Sequence, residues 1–326
     1  MKTTSIKIIG LMIIMTAILS SCNGVNPELR CNTGTQGVTA TFSRDTMRTS
    51  YDENVDYPLV IDIENKGAYS TQVYLQISHN RDIVSIEPPH IVTERPVEGK
   101  EHWNECRGTM SKELFTITPR RMLAAVEEFR TDIALNLCYE YKTDLNTTLC
   151  VHNNISRINV VTDNCRYGDK SFGGGQGSPL SFIRAEAPTY LPNDDNKVRI
   201  RLYLRNYGQG RIVASDTTGL ESACRSETGI YNDFVRIESA YLDQYEMDCS
   251  LLPFTTGPSD HTHLRADHQR IVQNNVETIL RDYYIECQTI QGVDLTSPRE
   301  MSLNIRMAYY YKDLAVHRRS INIRKV

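Results

Sequence analysis

Two stretches of the chain repeat one pattern of alternating apolar and polar residues around an Asn-x-Gly turn. In residues 57–78, YPLVIDIENKGAYSTQVYLQIS, apolar side chains alternate before and after Gly67. Residues 198–214, VRIRLYLRNYGQGRIVA, show the same alternation around Gly208, 141 residues later. A period of two is typical of strands that bury one face. Both stretches therefore predict a strand, a turn and a strand, with Gly67 at a positive φ.

A second repeated pattern lies near the end of each half. Residues 133–145, IALNLCYEYKTDL, and 303–314, LNIRMAYYYKDL, both alternate and end in an aromatic run before a Lys/Asp segment. We expect a turn there, followed by a returning strand at 147–152 and at 316–323. These landmarks lie about 170 residues apart, so the second half carries roughly 29 extra residues. That surplus predicts an insertion near 250–282.

Glycine, serine and proline are concentrated between the two halves, in YGDKSFGGGQGSPL at 167–180. This composition is typical of a linker. The short alternating strands on both sides predict an all-β fold with two antiparallel β-sandwich domains in tandem. We place the domains at 32–166 and 178–326 with the linker at 167–177. Helical spacing of apolar residues at 119–129 predicts a short helix in the first domain.

The N-terminus has the layout of a secretory signal peptide over residues 1–21: a charged start, an apolar core and small residues before Cys22. The core has about a dozen residues, whereas a membrane-spanning helix needs roughly 20. The order Leu-Ser-Ser-Cys that ends at Cys22 resembles the lipobox of prokaryotic lipoproteins. That resemblance implies cleavage before Cys22, a lipid on its thiol and a tether at 22–31. The alternative is an ordinary signal peptide with Cys22 in a disulfide.

The chain has nine cysteines, and an even number remains once Cys22 is set aside. An exported chain lies where disulfides persist, so we expect up to four bridges. The candidates are Cys31, Cys106, Cys138, Cys150, Cys165, Cys224, Cys249 and Cys287. The expected boundary leaves an odd number on each side, so either one bridge joins the domains or two thiols stay free. Cys165 is the candidate for the joining bridge, and Cys138 with Cys150 is the candidate pair across the predicted hairpin.

A histidine-rich segment, SDHTHLRADH, occupies residues 259–268 within the expected insertion. Alternate side chains of an extended segment point to one side, so neighbouring histidines there can reach one metal ion. The candidate ligands are His261, His263, His268, Asp260 and Asp267. The alternative interpretation is a solvated polar loop.

Two N-glycosylation sequons begin at Asn146 and Asn154. In an exported archaeal protein both can carry glycans, and the alternative is that they remain unmodified polar residues. The tyrosines at 139, 141, 309, 310 and 311 cluster in the repeated strands. Tyrosine suits contact with glycans and proteins, and it also fills sandwich cores, so these positions predict either a binding face or a core.

Composition narrows the functional classes. The net charge is −4 and the pI is about 6.1, which argues against a strongly basic nucleic-acid binder. The glycines of GGGQGSP are followed by proline instead of the Lys-Ser or Lys-Thr of a phosphate loop. The serine of this segment also lacks the Gly-x-Ser-x-Gly context of a nucleophile. We expect no cofactor and no catalysis.

The segments IDIENKG and LYLRNYGQG, CYEYKT followed by LCV, and the GGGQGSP linker resemble CARDB-like and related immunoglobulin-like tandem β-sandwich surface proteins of archaeal type. The resemblance covers most of residues 37–326. It implies a lipid-anchored extracytoplasmic protein that binds an unknown surface protein or glycan, for adhesion, recognition or envelope architecture. The alternatives are an envelope metal-binding protein or enzyme that uses 260–268, and a subunit of a surface filament.

Overall fold

A computed structural model describes most of the chain after residue 30. The described residues are 31–100, 106–121, 126–153, 165–215, 219–225, 230–249, 262–266, 269–273, 276–280 and 282–325. This part of the chain is nearly all β-structure, as the alternation predicts. The signal peptide and Cys22 lie outside the described residues.

The strands follow the alternation of the sequence. The first half contributes β1 (Val38–Phe42), β2 (Ser50–Asp52), β3 (Tyr57–Asn65), β4 (Val73–Ser78), β5 (Val84–Glu87), β6 (His90–Val92), β7 (Met110–Pro119) and β8 (Glu128–Val151). The second half contributes β9 (Lys170–Ser171), β10 (Leu180–Ala185), β11 (Thr189–Leu191), β12 (Lys197–Asn206), β13 (Arg211–Ser215), helix α1 (Leu220–Arg225), β14 (Ile230–Asn232), β15 (Phe234–Leu242), β16 (Tyr245–Asp248), β17 (Thr262–His263), β18 (Arg265–Ala266), β19 (Gln269–Gln273), β20 (Val276–Leu280), β21 (Asp282–Thr289) and β22 (Arg299–Arg324).

One sheet has the same strand order in both halves. It runs β1-β3-β7-β5 in the first half and β10-β12-β21-β16 in the second, with antiparallel neighbours throughout. The registers also agree, because Asn65 lies opposite Val38 in the first half and Asn206 lies opposite Leu180 in the second. The repeated sequence pattern is therefore a repeated sheet.

The two longest strands, β8 and β22, form one antiparallel ribbon. Tyr139 lies opposite Tyr311, and Tyr141 lies opposite Tyr309. In the repeated sequence, position 139 corresponds to 309 and position 141 to 311, 170 residues later. Exchanging the two strands therefore maps one pair onto the other. An approximate twofold axis passes through the ribbon between these pairs and relates the two halves.

The ribbon also shows that the turns predicted after the aromatic runs are wrong. β8 continues through Thr143, and β22 continues with a register shift between Asp313 and His317. Neither segment contains glycine or proline, the residues that most readily break a strand. The two strands pair with each other there, so their backbone groups are satisfied without a hairpin.

Each half is completed by the end of the other half's long strand. The first part of β8 pairs with β4 over 134–139, and the last part of β22 lies on its other side and pairs with β2 over 322–324. Conversely, β22 pairs with β15 over 303–308, and the last part of β8 lies beside it. One continuous apolar core extends through both halves as a result.

The strand–turn–strand segments are arches between sheets, not hairpins. β3 and β4 pair with different strands, and so do β12 and β13. The positive φ predicted for Gly67 is wrong. A Cβ at Gly67 would instead overlap the hydroxyl of Tyr141, and a Cβ at Gly208 would overlap the hydroxyl of Tyr311. Glycine is required at both arches because a tyrosine from a long strand approaches the backbone closely.

The glycine-rich segment between the halves is hydrogen-bonded to the first half. Gly34 donates its backbone N–H to the carbonyl of Gly174, and Ala68 donates to the carbonyl of Gly177, at N···O distances of 2.6 and 2.7 Å. Gly174 and Gly177 have positive φ. These glycines form a defined loop, while the division of the chain into two domains stays a prediction.

The described helix, α1, lies in the second half and not at 119–129. Pro119 ends β7 and Phe129 lies in β8, while residues 122–125 lie outside the described residues. Part of the extra length of the second half lies at α1 too. β13 and β15 together occupy along β22 the place that β4 occupies along β8, with α1 and β14 inserted between them. Some of the surplus therefore precedes the predicted insertion at 250–282.

Four disulfides use all eight candidate cysteines. They join Cys31 to Cys106, Cys138 to Cys224, Cys150 to Cys165 and Cys249 to Cys287. Because Cys138 lies in the first half and Cys224 in the second, one bridge joins the halves, which was one of the two expected outcomes.

Both proposed pairings are wrong. Cys165 binds Cys150, 15 residues earlier, so it does not join the halves. Cys138 is buried with Cys224, Tyr74 and Leu220, where α1 covers the sheet. The predicted hairpin would have brought Cys138 and Cys150 together, but the continuous strand keeps them apart.

Candidate functional site

The outward side of β12 and β21 carries arginine, tyrosine and acidic side chains in matched pairs. Residues 200, 202 and 204 of β12 are fully buried, so alternation places residues 199, 201, 203 and 205 outside the core. Together with their neighbours on β10 and β21 they form what we call the Arg–Tyr face. Its members are Arg184, Glu186, Arg199, Arg201, Tyr203, Arg205, Asp282, Tyr284, Glu286 and Gln288.

Each arginine of β12 on this face bonds to the residue directly opposite on β21. Arg205 makes a bidentate contact with Asp282, with N···O distances of 2.6 and 2.7 Å. Arg201 donates twice to one carboxylate oxygen of Glu286, at 2.9 and 2.5 Å. The hydrogen bonds from these carboxylates raise the pKa of both arginines. Paired in this way, the guanidinium planes are held in fixed positions.

The two tyrosines occupy the middle of the face. Tyr203 lies opposite Tyr284 with ring centroids 6.0 Å apart. Arg184 lies over the Tyr203 ring at 4.1 Å, and Arg201 lies over the Tyr284 ring at 5.1 Å. Tyr203 also donates its hydroxyl to Glu186 over 2.6 Å. These contacts order planar side chains before any partner binds, which lowers the entropy lost on binding.

The first half lacks this face at the equivalent place. Counting back from the arch asparagines, Asp62 of β3 corresponds to Tyr203, and its partner across the strand pair is Lys112. Val60 corresponds to Arg201, and its partner is Leu114. The same sheet therefore forms without arginines or tyrosines on its outer side. The Arg–Tyr face is not a requirement of the fold.

Of the expected metal-binding cluster, the structure describes His263 alone. This residue lies on β17, and its ring is 4.7 Å from that of Phe234 on β15. Burial lowers the pKa of His263. The other members, His261, His268, Asp260 and Asp267, lie outside the described residues. Within the described ranges, no group of three or more His, Cys, Asp or Glu side chains can hold a metal ion.

The remaining sequence candidates fall in different environments. Asn146 is exposed on β8, opposite Asn304 of β22, so that sequon lies in a paired strand. Asn154 lies outside the described residues. The tyrosines at 139, 141, 309 and 311 are buried in the core, which confirms the core interpretation for these four positions. They lie on the inner side of the ribbon because alternation repeats every second residue.

Sequence reasoning missed the Arg–Tyr face because one of its strands was not recognised. The arginines of VRIRLYLR at 198–205 alternate visibly with apolar residues. Their partner strand, DYYIECQT at 282–289, alternates equally well but begins where the expected insertion ends. Recognising 282–289 as the counterpart of β7 would have placed both tyrosines side by side.

No helix in the described part of the chain is long and apolar enough to cross a membrane. The chain matches no protein-family model, and it matches no curated protein in sequence.

Proposed function

We propose that this protein is a non-catalytic extracytoplasmic surface protein, anchored through a lipid on Cys22, that recognises a surface protein or glycan through the Arg–Tyr face. Four disulfides support the location, since such bonds persist in oxidising compartments and are rare in the cytosol. The leader that ends at Cys22 supports the anchor.

One observation carries the recognition role: the face is present on one of two equivalent sheets. Arg201, Tyr203 and Tyr284 occupy positions where the first half has Val60, Asp62 and Lys112. Tyrosine and arginine are the residues most enriched in interface cores and at binding hot spots. A surface of this composition, ordered in advance on one copy, fits a contact surface.

The architecture gives the two halves different parts in this role. We propose that each half is an immunoglobulin-like sandwich and that the halves resemble CARDB-like modules in design. The first half follows the tether and is bonded to it through Cys31–Cys106. The second half presents the Arg–Tyr face. Attachment at one end and contact at the other suit adhesion or envelope architecture.

The recognition role is tested by binding the purified chain to envelope fragments of its own cells. The variant Tyr203→Thr/Tyr284→Thr keeps good strand formers and removes both rings. The matched control, Asp62→Thr/Lys112→Thr, changes the equivalent cross-strand pair of the first half. We expect the first variant to bind about ten-fold more weakly and the control to bind like the natural chain. Equal binding by all three proteins would contradict the proposal.

Treating the fragments with protease or with periodate then separates a protein partner from a glycan partner. Binding that is lost after protease treatment identifies a protein, and binding that is lost after periodate treatment identifies a glycan. The anchor is tested separately by the intact mass of the native protein. A mature chain that begins at lipid-modified Cys22 supports it, whereas an unmodified Cys22 removes the anchor and leaves the Arg–Tyr face untouched.

A further inference from the structure

A groove opens on the side of the first half, between the end of β4 and the edge of β5. Its volume is about 380 Å³, which falls within the range of ligand pockets, about 300–1,000 Å³. All four residues of β5 line one wall, and the opposite wall includes Ser78 and His79 at the end of β4. The floor contains the buried side chains of Ile77, Val84 and Ile86. The groove therefore follows the edge of a strand.

The backbone of β5 has hydrogen-bonding groups that point into this groove. Arg120 donates its N–H to the carbonyl of Ile83 over 2.8 Å, so residues 83, 85 and 87 bond towards β7. Val84 and Ile86 then direct their backbone groups to the other side. The N–H of Val84 bonds to the carbonyl of Asn80. The carbonyl of Val84 and both backbone groups of Ile86 face the groove, where no strand of the described residues pairs with β5.

The second half is closed at the equivalent place. β16 holds the same position in the strand order as β5, and it pairs on its other side with β15. A tight turn makes this closure, with Leu242 opposite Tyr245. In the first half, β4 and β5 do not pair, and the groove lies where that pairing would be. Exposed strand edges invite pairing with another chain, so the open edge is a place for an added strand.

The charge around the groove selects the kind of strand. Arg81 and Arg120 line it near the start of β5, together with His79. Glu87, at the other end of β5, is the one acidic residue of the lining. Within the described residues, neither arginine makes an ion pair. The groove therefore has a positive end with two arginines whose charge is not balanced by a partner.

We propose that this groove binds an extended acidic peptide, which adds to the edge of β5 as a further strand and places its carboxylates against Arg81 and Arg120. Backbone pairing with Val84 and Ile86 supplies the register, and the arginines select acidic over basic sequences. This site is on the half that lacks the Arg–Tyr face, so it is a second contact of the protein and does not depend on the first.

The test uses a labelled alternating Thr-Val peptide that ends in Asp-Glu, and the full mature chain. Fluorescence anisotropy measures binding. We expect the acidic peptide to bind and a peptide ending in Lys-Lys to bind at least about ten-fold more weakly. The variant Arg81→Gln/Arg120→Gln should lose a similar factor for the acidic peptide. The matched control, Arg44→Gln/Arg107→Gln, removes two exposed arginines that do not line the groove and should bind normally.

Strand addition is separated from simple charge attraction by a peptide of the same charge whose valines are replaced by proline. Proline has no N–H, so this peptide cannot form the ladder and should bind much more weakly. Hydrogen exchange at the Ile86 amide should slow when the acidic peptide is bound. Equal binding of the proline peptide, unchanged exchange at Ile86, or full binding by the Arg81/Arg120 variant would each overturn the proposal.

Discussion

Tyr69 donates its backbone N–H to the hydroxyl of Tyr141 over 3.1 Å. The same contact recurs in the second half, where Gly210 donates its N–H to the hydroxyl of Tyr311 over 2.9 Å. In each half, the hydroxyl also lies within hydrogen-bonding distance of the arch asparagine. One buried tyrosine of each long strand therefore fixes the arch that connects the two sheets of its half.

We expect Tyr141→Phe and Tyr311→Phe each to lower the free energy of unfolding by about 1–3 kcal/mol. Each change removes the acceptor of a backbone N–H and leaves that donor buried without a partner. Urea unfolding of the purified chain measures the effect. Tyr241→Phe is the control, because the Tyr241 ring is exposed. A loss no larger than that of the control would show that the hydroxyls do not hold the arches.

The same close approach makes the arch glycines sensitive to a single methyl group. Gly67→Ala places a Cβ against the hydroxyl of Tyr141 and the carbonyl of Gly177. Overpacking of this kind costs about 1–3 kcal/mol of unfolding free energy. Gly208→Ala should behave alike against Tyr311. Thermal unfolding followed by circular dichroism measures both changes.

Gly173 provides the comparison for these glycines. A Cβ there meets nothing within 4 Å, and the φ of Gly173 is not positive. Gly173→Ala should therefore be neutral or stabilising by up to about 1 kcal/mol, since alanine restricts the unfolded chain. A midpoint lowered as much by Gly173→Ala as by Gly67→Ala would refute steric overlap as the cause.

The alternation of apolar residues predicted β3, β4, β12 and β13 because each of these strands buries one face. It did not predict which strands pair, because register is set by contacts between distant residues. The strands β3 and β4 are close in sequence, and a hairpin is the common solution for such a pair. The buried hydroxyl of Tyr141 and the opposed sheets select an arch instead, and a local pattern does not show either one.

The cysteine arithmetic illustrates the same limit. The even count predicted four bridges, and the odd count on each side of the boundary predicted a bridge between the halves. The partner of Cys138 was hidden because Cys224 lies in the segment of α1, which has no equivalent in the first half. The Arg–Tyr face was hidden for a similar reason, since it requires 282–289 to lie beside 197–206.

The bridge between the halves should stabilise the protein more than the local one. Cys138 and Cys224 are separated by 86 residues, and Cys150 and Cys165 by 15. Loop-closure entropy then predicts that Cys138→Ala/Cys224→Ala lowers the unfolding free energy by about 1.5 kcal/mol more than Cys150→Ala/Cys165→Ala. Urea unfolding without reductant measures both variants. Equal losses would show that local packing, not chain entropy, governs the bridges.

Buried tyrosines should make the protein sensitive to alkali. Burial raises the pKa of Tyr309 to about 12 and also raises the pKa of Tyr139 and Tyr311. An unfolded tyrosine titrates near 10. Above that pH the unfolded chain loses protons that the folded chain keeps, so the free energy of unfolding falls as pH rises, whereas below it the contribution is fully present.

Urea unfolding at several pH values checks this expectation. Tyr309→Phe should reduce the dependence of unfolding free energy on pH by about one proton between pH 10 and 12. The exposed Tyr241 again supplies the control, as Tyr241→Phe. A slope that Tyr309→Phe leaves unchanged would mean that Tyr309 titrates alike in the folded and unfolded chains.

The ribbon of β8 and β22 has a mechanical consequence. β8 begins in the first half, next to the end of β22, and ends in the second half. Hydrogen bonds between antiparallel strands run perpendicular to them. A pull between the N-terminal end at Cys31 and the Arg–Tyr face therefore shears many of these bonds at once instead of opening them one by one. A molecule built in this way transmits tension along about 80 Å of paired strand without lengthening.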